Sequence, residues 1–368
     1  MLLFVRIKQV VRLLTQRITG IKIAIIGGYH GVNLGDMALG YSVKEILNKK
    51  GIKSGLQTIY SLNNYPWAKT KFAIIGGGAI GYKQSLIKVT NRYNSNWNNI
   101  ALLGVDYNDS NYEQSDEIME LLKKSSWLSC RNEKQSILMQ KLTGREDIIY
   151  HPDLVFSYKK DFCKKQREIN SKKKTLLINV VPLYGTIKGE SLIPNIQYKE
   201  ERPELYESYN EMIKNYIEGV RLIIKDALAN GYKVESMPFT PGDADMARII
   251  GKGLKMKHNN YSDNPFKILK KMASAEKIFA TRYHATIFGI KLGTQIMPMA
   301  YAKKNELLLE EFGFITEQFI TSKDLANGIT LSGKYLHFNT DIVEKWENNC
   351  FDVINKCVDI VLSKKNAS

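Results

Sequence analysis

Two hydrophobic patterns alternate along this chain. Short, almost unbroken aliphatic runs, of which 21–26 (Ile-Lys-Ile-Ala-Ile-Ile) is the clearest, stand between longer stretches whose apolar positions recur at helical spacing. Runs at 56–60, 72–75, 100–105 and 127–130 predict further buried strands, with helices at 37–49, 113–124 and from 133 through Leu142. The polar, Asn-rich stretch 82–99 predicts a loop with a short helix. The pattern then restarts. Strands are predicted at 175–181, 233–239, 278–280 and 295–299, and helices at 209–230, 264–273, from Ala285 onward and at 341–362. Strands alternating with helices predict parallel sheets. The restart predicts an α/β fold of two Rossmann-like domains facing across a cleft. The boundaries drawn are an amphipathic helix at 1–19, a first domain at 20–158, a basic linker at 159–174, a second domain at 175–335 and a C-terminal helix at 336–368.

Chemistry gathers where strands hand over to helices. In an open parallel sheet, ligands bind at the strand carboxyl ends, and helix N-termini offer unsatisfied N–H groups to anions. The run 278–280 ends in Thr281-Arg282-Tyr283-His284 before a helical pattern, and 127–130 ends in Arg131 before another. A cation therefore stands at a strand end in each half. Near the start, Gly27-Gly28 and Asn33-Leu34-Gly35-Asp36 separate a strand from a helix, and Gly76-Gly77-Gly78 ends the next-but-one strand. This is neither GxGxxG nor a P-loop. The glycines allow close backbone approach by a ligand or merely a tight turn. Asp36 reads as a helix cap, or with Asn33 as a holder of a ligand hydroxyl. Asp243 and Asp245 read as helix-start carboxylates or as groups facing the crevice, the former being favoured for at least one of them. The irregular stretch 182–207 is long enough to serve as a lid or substrate contact.

Length and charge narrow the partners. A chain of 368 residues exceeds the usual size of a single core. With 53 Lys and Arg against 37 Asp and Glu, the net charge is +16, which calls for an acidic partner. No nucleic-acid-binding signature accompanies it, so nucleic acid is not expected. The stretch 159–174 carries eight of these cations in sixteen residues and reads as a solvated linker. Cys130, Cys163, Cys350 and Cys357 form no CxxC pair and no metal-ligand spacing. They point to a reduced, cytoplasmic protein with no metal. No apolar run is long enough to span a bilayer. Residues 1–19 place Leu3, Ile7, Val10, Leu14 and Ile18 on one helical face, with Arg6, Lys8, Arg12 and Arg17 largely elsewhere. Such a helix packs on its own domain or a second subunit, or lies on the anionic inner face of the membrane.

Five ordered places resemble the polysaccharide pyruvyl transferase family: Asn33 to Asp36, Gly76 to Gly78, Ser129-Cys130-Arg131, Arg282-Tyr283-His284-Ala285 and Tyr301 to Lys304. Pro152-Asp153 and Pro238-Phe239 with Asp243 match more weakly. The resemblance implies a fold similar to that of the two-domain GT-B glycosyltransferases. It implies transfer of a pyruvyl group from phosphoenolpyruvate to two sugar hydroxyls, giving a ketal on a surface glycan or its lipid-linked precursor. It also implies donor contacts at Arg131, Arg282 and Lys304, and no cofactor. Asn33, Gly35, Asp36 and Gly76 to Gly78 would then serve the acceptor or cradle a ligand with backbone. His284 suits the proton transfers, since an imidazole titrates near neutrality. The sequence departs from the family at Met37 and Asn132, where acidic residues are usual, at Tyr283, where Leu is usual, and at Ala302-Lys303, where Asp-Pro is common. Two other readings fit the same residues: a sugar-nucleotide glycosyltransferase, in which Asp36 would matter more than His284, and a non-catalytic basic module for nucleic acid or anionic lipid.

Overall fold

The computed structural model describes residues 2–94, 96–107, 112–169, 172–189, 191–329 and 334–366. It forms two units, one of residues 1–160 with 344–368 and the other of residues 161–343. In unit 1, β1 (Ile23–Gly27), β2 (Ser54–Thr58), β3 (Phe72–Gly78), β4 (Ile100–Val105), β5 (Trp127–Cys130) and β6 (Ile149–Tyr150) form one parallel sheet. Every residue of β1, β3 and β4 is buried. This is why these strands read as continuous apolar runs and not as alternating ones. The strand order is β2-β1-β3-β4-β5-β6. Winding reverses between β1 and β3, so the switch-point crevice lies at their carboxyl ends.

The stretch 82–99 holds more helix than its polarity suggested. Lys83–Tyr93 is helical because Leu86, Val89 and Tyr93 share a buried face. The C-terminal helix Thr340–Asn366 belongs to unit 1 from Glu344 on. There the Trp346 ring meets Phe156 edge-on, with centroids 5.0 Å apart, and Asp359 pairs with Lys50 at 2.7 Å. The N-terminal helix Leu2–Ile18 packs on unit 1 through a buried Leu13.

In unit 2, β7 (Lys173–Asn179), β10 (Lys233–Ser236), β11 (Met256–Lys257), β12 (Ala275–Ala280), β13 (Gln295–Ala300) and β14 (Ile320–Thr321) form a second parallel sheet. Its order, β11-β10-β7-β12-β13-β14, puts the switch point between β7 and β12. The stretch 182–207 is not irregular throughout. It contains an antiparallel hairpin, β8 (Gly185–Lys188) with β9 (Ser191–Pro194), and two short helices.

The run 159–174 is no plain linker. Lys160–Arg167 is helical, with Cys163 buried and Phe162 edge-on to Phe266, while Lys164 and Lys165 face water. Arg167 Nη1 donates to the Lys291 carbonyl at 2.5 Å, and Lys172 Nζ donates to the Leu292 carbonyl at 3.1 Å. These cations cap the C-terminus of the helix Tyr283–Lys291, where the helix dipole favours positive charge. Sequence charge density could not separate such caps from solvated lysines.

Candidate functional site

The switch point of unit 2 gathers most of the expected chemistry. Arg282 follows β12 and occupies the N-cap position of the helix Tyr283–Lys291. Its backbone N–H donates to Asn179 Oδ1, 2.8 Å away at the end of β7. The two strands flanking the switch point are thereby tied together. The guanidinium lies on Asp243: Nη2 donates to Oδ1 at 2.6 Å and Nε to Oδ2 at 3.1 Å, with Thr240 Oγ1 accepting from Nη2 at 3.1 Å. Asp243 is fully enclosed, yet it also accepts from the Phe239 and Thr240 N–H groups and the Thr240 hydroxyl. It closes a capping box at the start of the helix Pro241–Gly251. Asp243 is thus the helix-start carboxylate favoured from sequence, enclosed and not facing the crevice, and from there it orients Arg282. Asp245 instead pairs with Arg248 at 2.5 Å on an exposed helix face.

His284 is the second residue of the Arg282 helix and is 9% exposed, its ring 5.2 Å from that of Tyr283. Lys304, in the first turn of the helix Lys303–Glu311 after β13, holds its ammonium 5.5 Å from the centre of the Tyr283 ring. Such a contact lets an aromatic face hold a cation. Among the described residues Lys304 makes no hydrogen bond or ion pair. Its neighbour Lys303 pairs with Glu306 at 2.8 Å. Asn305 braces the same place: it is buried, and its Nδ2 donates to the Thr281 carbonyl at 3.2 Å. Arg282, Tyr283, His284 and Lys304 thus share one end of one sheet, at the N-terminus of the helix Tyr283–Lys291, where the helix dipole favours negative charge.

The arginine of unit 1 is held differently. Arg131, directly after β5, donates from Nε to Asp106 Oδ1 at 2.6 Å and from Nη1 to Asp153 Oδ2 at 2.7 Å, and its Nη2 also bonds Asp106. Asp106 follows β4 and Asp153 follows β6, so the side chain clamps three strand ends. One positive charge faces two carboxylates, and the side chain is only 10% exposed. The chain itself thus sets two carboxylates against the guanidinium expected to bind the donor. Beneath it His151 is buried, Nδ1 donating to the Pro152 carbonyl at 2.7 Å and Nε2 bonding Ser129 Oγ at 3.1 Å. Burial pushes its pKa down to about 4.

At the β1–β3 switch point of unit 1, Asn33 and not Asp36 is the helix cap, accepting from the Gly35 N–H at 3.0 Å. Gly35 is buried in the first turn. The half-exposed Asp36 carboxylate lies against Gly28, where an added Cβ would come within 3.2 Å of Oδ2. Among the described residues that carboxylate makes no hydrogen bond or ion pair. Beside it, His30 Nδ1 donates to the Gly28 carbonyl at 2.6 Å, and the His30 ring meets the exposed Tyr60 ring edge-on at 5.2 Å. Burial and the Asp36 charge raise the Tyr60 pKa. The sequence marked the aromatic-rich segment 60–67 as able to stack sugars or bases, but not the pairing of Tyr60 with His30, because nothing local links residue 30 to residue 60. Gly76, Gly77 and Gly78 are shaped by their own neighbours. A Cβ at Gly76 would strike the Leu103 carbonyl, one at Gly77 would strike Leu39, and Gly77 and Gly78 have φ of +78° and +92°. Among the described residues no three His, Cys, Asp or Glu side chains are grouped to hold a metal ion.

Two parallel sheets of Rossmann type, one presenting an oriented arginine, a lysine and a histidine at its switch point, define a two-unit α/β protein with cations gathered at a strand-end crevice. Residues 33–303 match the family model for polysaccharide pyruvyl transferase, and the chain belongs to that family. Among solved structures it is similar to the UDP-GlcNAc 2-epimerase of Methanocaldococcus jannaschii in complex with UDP-GlcNAc and UDP, at 12% identity and a TM-score of 0.52, covering 93% of this chain and 100% of that one. The UDP-GlcNAc 2-epimerase of Neisseria meningitidis bound to UDP-GlcNAc gives 10% identity and a TM-score of 0.50 over 93% and 100% of the two chains. At such identities the likeness is one of fold, the GT-B-like pairing of two Rossmann-type domains. A search of curated proteins finds no match.

Proposed function

We propose that the protein transfers a pyruvyl group from phosphoenolpyruvate to two hydroxyls of a sugar in a polysaccharide or its precursor. The observation that carries this reading is the gathering of Arg282, His284, Lys304 and a helix N-terminus at the switch point of unit 2. Phosphoenolpyruvate bears a phosphate and a carboxylate. A fixed guanidinium suits one anion and a point-charge ammonium the other.

Ketal formation delivers one proton to the donor's methylene carbon, which becomes a methyl group. A C–O bond forms from the first sugar hydroxyl to the donor's C2. The bond from C2 to the phosphate oxygen then breaks as the second hydroxyl bonds to C2. Of the two hydroxyl protons released, one balances the proton gained by carbon and the other leaves with phosphate. His284 is the residue assigned to these transfers. Asp36, with His30 and the exposed Tyr60 ring beside it, is assigned to acceptor hydroxyls: a carboxylate without a partner accepts hydrogen bonds, and an aromatic face suits a sugar ring. Arg131 is assigned to holding the strand ends that carry Asp106 and Asp153.

Calorimetric titration with phosphoenolpyruvate tests this, with UDP-sugars run alongside. Binding of phosphoenolpyruvate that His284→Gln retains and Arg282→Ala loses supports the assignment. Binding of a UDP-sugar alone rejects it in favour of glycosyl transfer.

A further inference from the structure

We propose that the N-terminal helix Leu2–Ile18 docks unit 1 onto an anionic lipid surface, an inference independent of the donor chemistry above. The helix has two faces with different fates. On one, Leu13 is buried, Arg12 Nη1 donates to the Tyr29 carbonyl at 3.1 Å and Gln16 Nε2 to the Leu56 carbonyl at 3.0 Å. Gln9 Nε2 on the same face donates to Ser61 Oγ at 2.5 Å. On the other, Ile7, Val11, Leu14 and Ile18 are 53%, 56%, 46% and 85% exposed. At 3.6 residues per turn these four fall within about 60° of arc, opposite the packed face. The stripe differs by one residue from the one expected from sequence. Val10 is half-buried and Val11 takes its place, while the side chain of Leu3 lies outside the described residues.

Charge selects the occupant. Residues 2–18 include Arg6, Lys8, Arg12 and Arg17 and no Asp or Glu. Beyond the helix end, exposed Lys53 donates to the Thr19 carbonyl at 3.4 Å, and Lys22 is exposed beside it. A second copy laid on this face would bring like charges together across an apolar seam. An anionic bilayer surface accepts the apolar stripe in its interface and attracts the flanking cations. The packed face of the helix covers the turn and the segment that carry His30 and Tyr60, since Arg12 bonds Tyr29 and Gln9 bonds Ser61. Docking would therefore bring the β1 end of unit 1 to the lipid surface, where a lipid-linked acceptor resides.

Flotation of the full chain with phosphatidylcholine vesicles, with and without phosphatidylglycerol, tests this. The wild type should float with the anionic vesicles and not with the neutral ones. Leu14→Asp/Ile18→Asp, at two exposed positions, should keep the wild-type thermal transition and lose binding by about tenfold or more. Arg17→Gln/Lys22→Gln should weaken binding to anionic vesicles less. A wild type that stays unbound, or a double aspartate variant that floats equally well, overturns the proposal. So does a wild-type dimer, seen by sedimentation velocity, that ignores vesicles and dissociates in the aspartate variant, because the face would then be a self-association surface.

Discussion

Arg131 and Arg282 stand in the same local setting, just past a parallel strand and just ahead of a helix. Their surroundings separate them. Arg131 is drawn in by Asp106 and Asp153 from the strand ends on either side, whereas the Arg282 guanidinium lies on Asp243, which several other donors already satisfy. One positive charge against two negative ones repels a further anion, while a neutral pair beside a lysine and a helix N-terminus attracts one. The strand–Arg–helix motif fixes where a cation stands. The ends of the neighbouring strands decide what it can bind.

The largest effects should split along this line. Arg131→Ala removes the guanidinium that bonds the enclosed Asp153 and should cost about 3–5 kcal/mol of stability. Arg282→Ala leaves Asp243 with the Phe239 and Thr240 donors and should cost less stability, while weakening phosphoenolpyruvate binding by about a hundredfold. Chemical denaturation and calorimetric titration of both variants read the two effects separately. Equal loss of donor affinity in an otherwise stable Arg131→Ala protein would erase the distinction.

His151 sharpens the contrast from beneath Arg131. Its pKa of about 4 in the fold lies below the ordinary 6.5, so protonation favours the unfolded chain. The stabilising contribution is complete above pH 6.5 and is lost as pH falls toward 4. Between pH 7 and 5 this amounts to about 2 kcal/mol. Urea unfolding at the two pH values should show the loss in wild type and its absence in His151→Gln. A variant that keeps the full pH dependence would mean that other groups in unit 1 titrate in its place.

How far the sequence foretold this depends on the range of the interaction. Both sheets were legible because β1, β3, β4 and the Ile278–Ala280 end of β12 are buried on both faces and write their burial as apolar runs. Arg282, His284 and Lys304 were legible as strand-end residues. The partners were not: Asp106 meets Arg131 across 25 positions and Asp243 meets Arg282 across 39, and neither spacing leaves a periodic trace. The run at 159–174 misled because Arg167 and Lys172 cap a helix more than a hundred residues away. Asp36 was read as the cap because it stands near a helix start. Asn33, three residues earlier, takes that role and leaves the Asp36 carboxylate half-exposed.

The smallest effect tests the finest part of the contrast, which lysine serves the Arg282 site. Lys303 and Lys304 are adjacent in sequence, but Glu306 and Glu310 hold Lys303, whereas Lys304 rests on Tyr283 beside His284. Adjacent residues on a helix point in different directions, so under the proposed reading Lys304 and not Lys303 meets the donor's anions. Lys304→Ala should weaken phosphoenolpyruvate binding by about three- to fivefold, since one exposed point charge contributes at most on the order of 1 kcal/mol. The loss should shrink as salt screens the charge. Lys303→Ala should leave binding unchanged at every ionic strength. If titration instead shows Lys303→Ala to be the weaker binder, its glutamate pairs must open when the donor arrives, and the site at the end of β12 is built by rearrangement and not by the side chains as they stand.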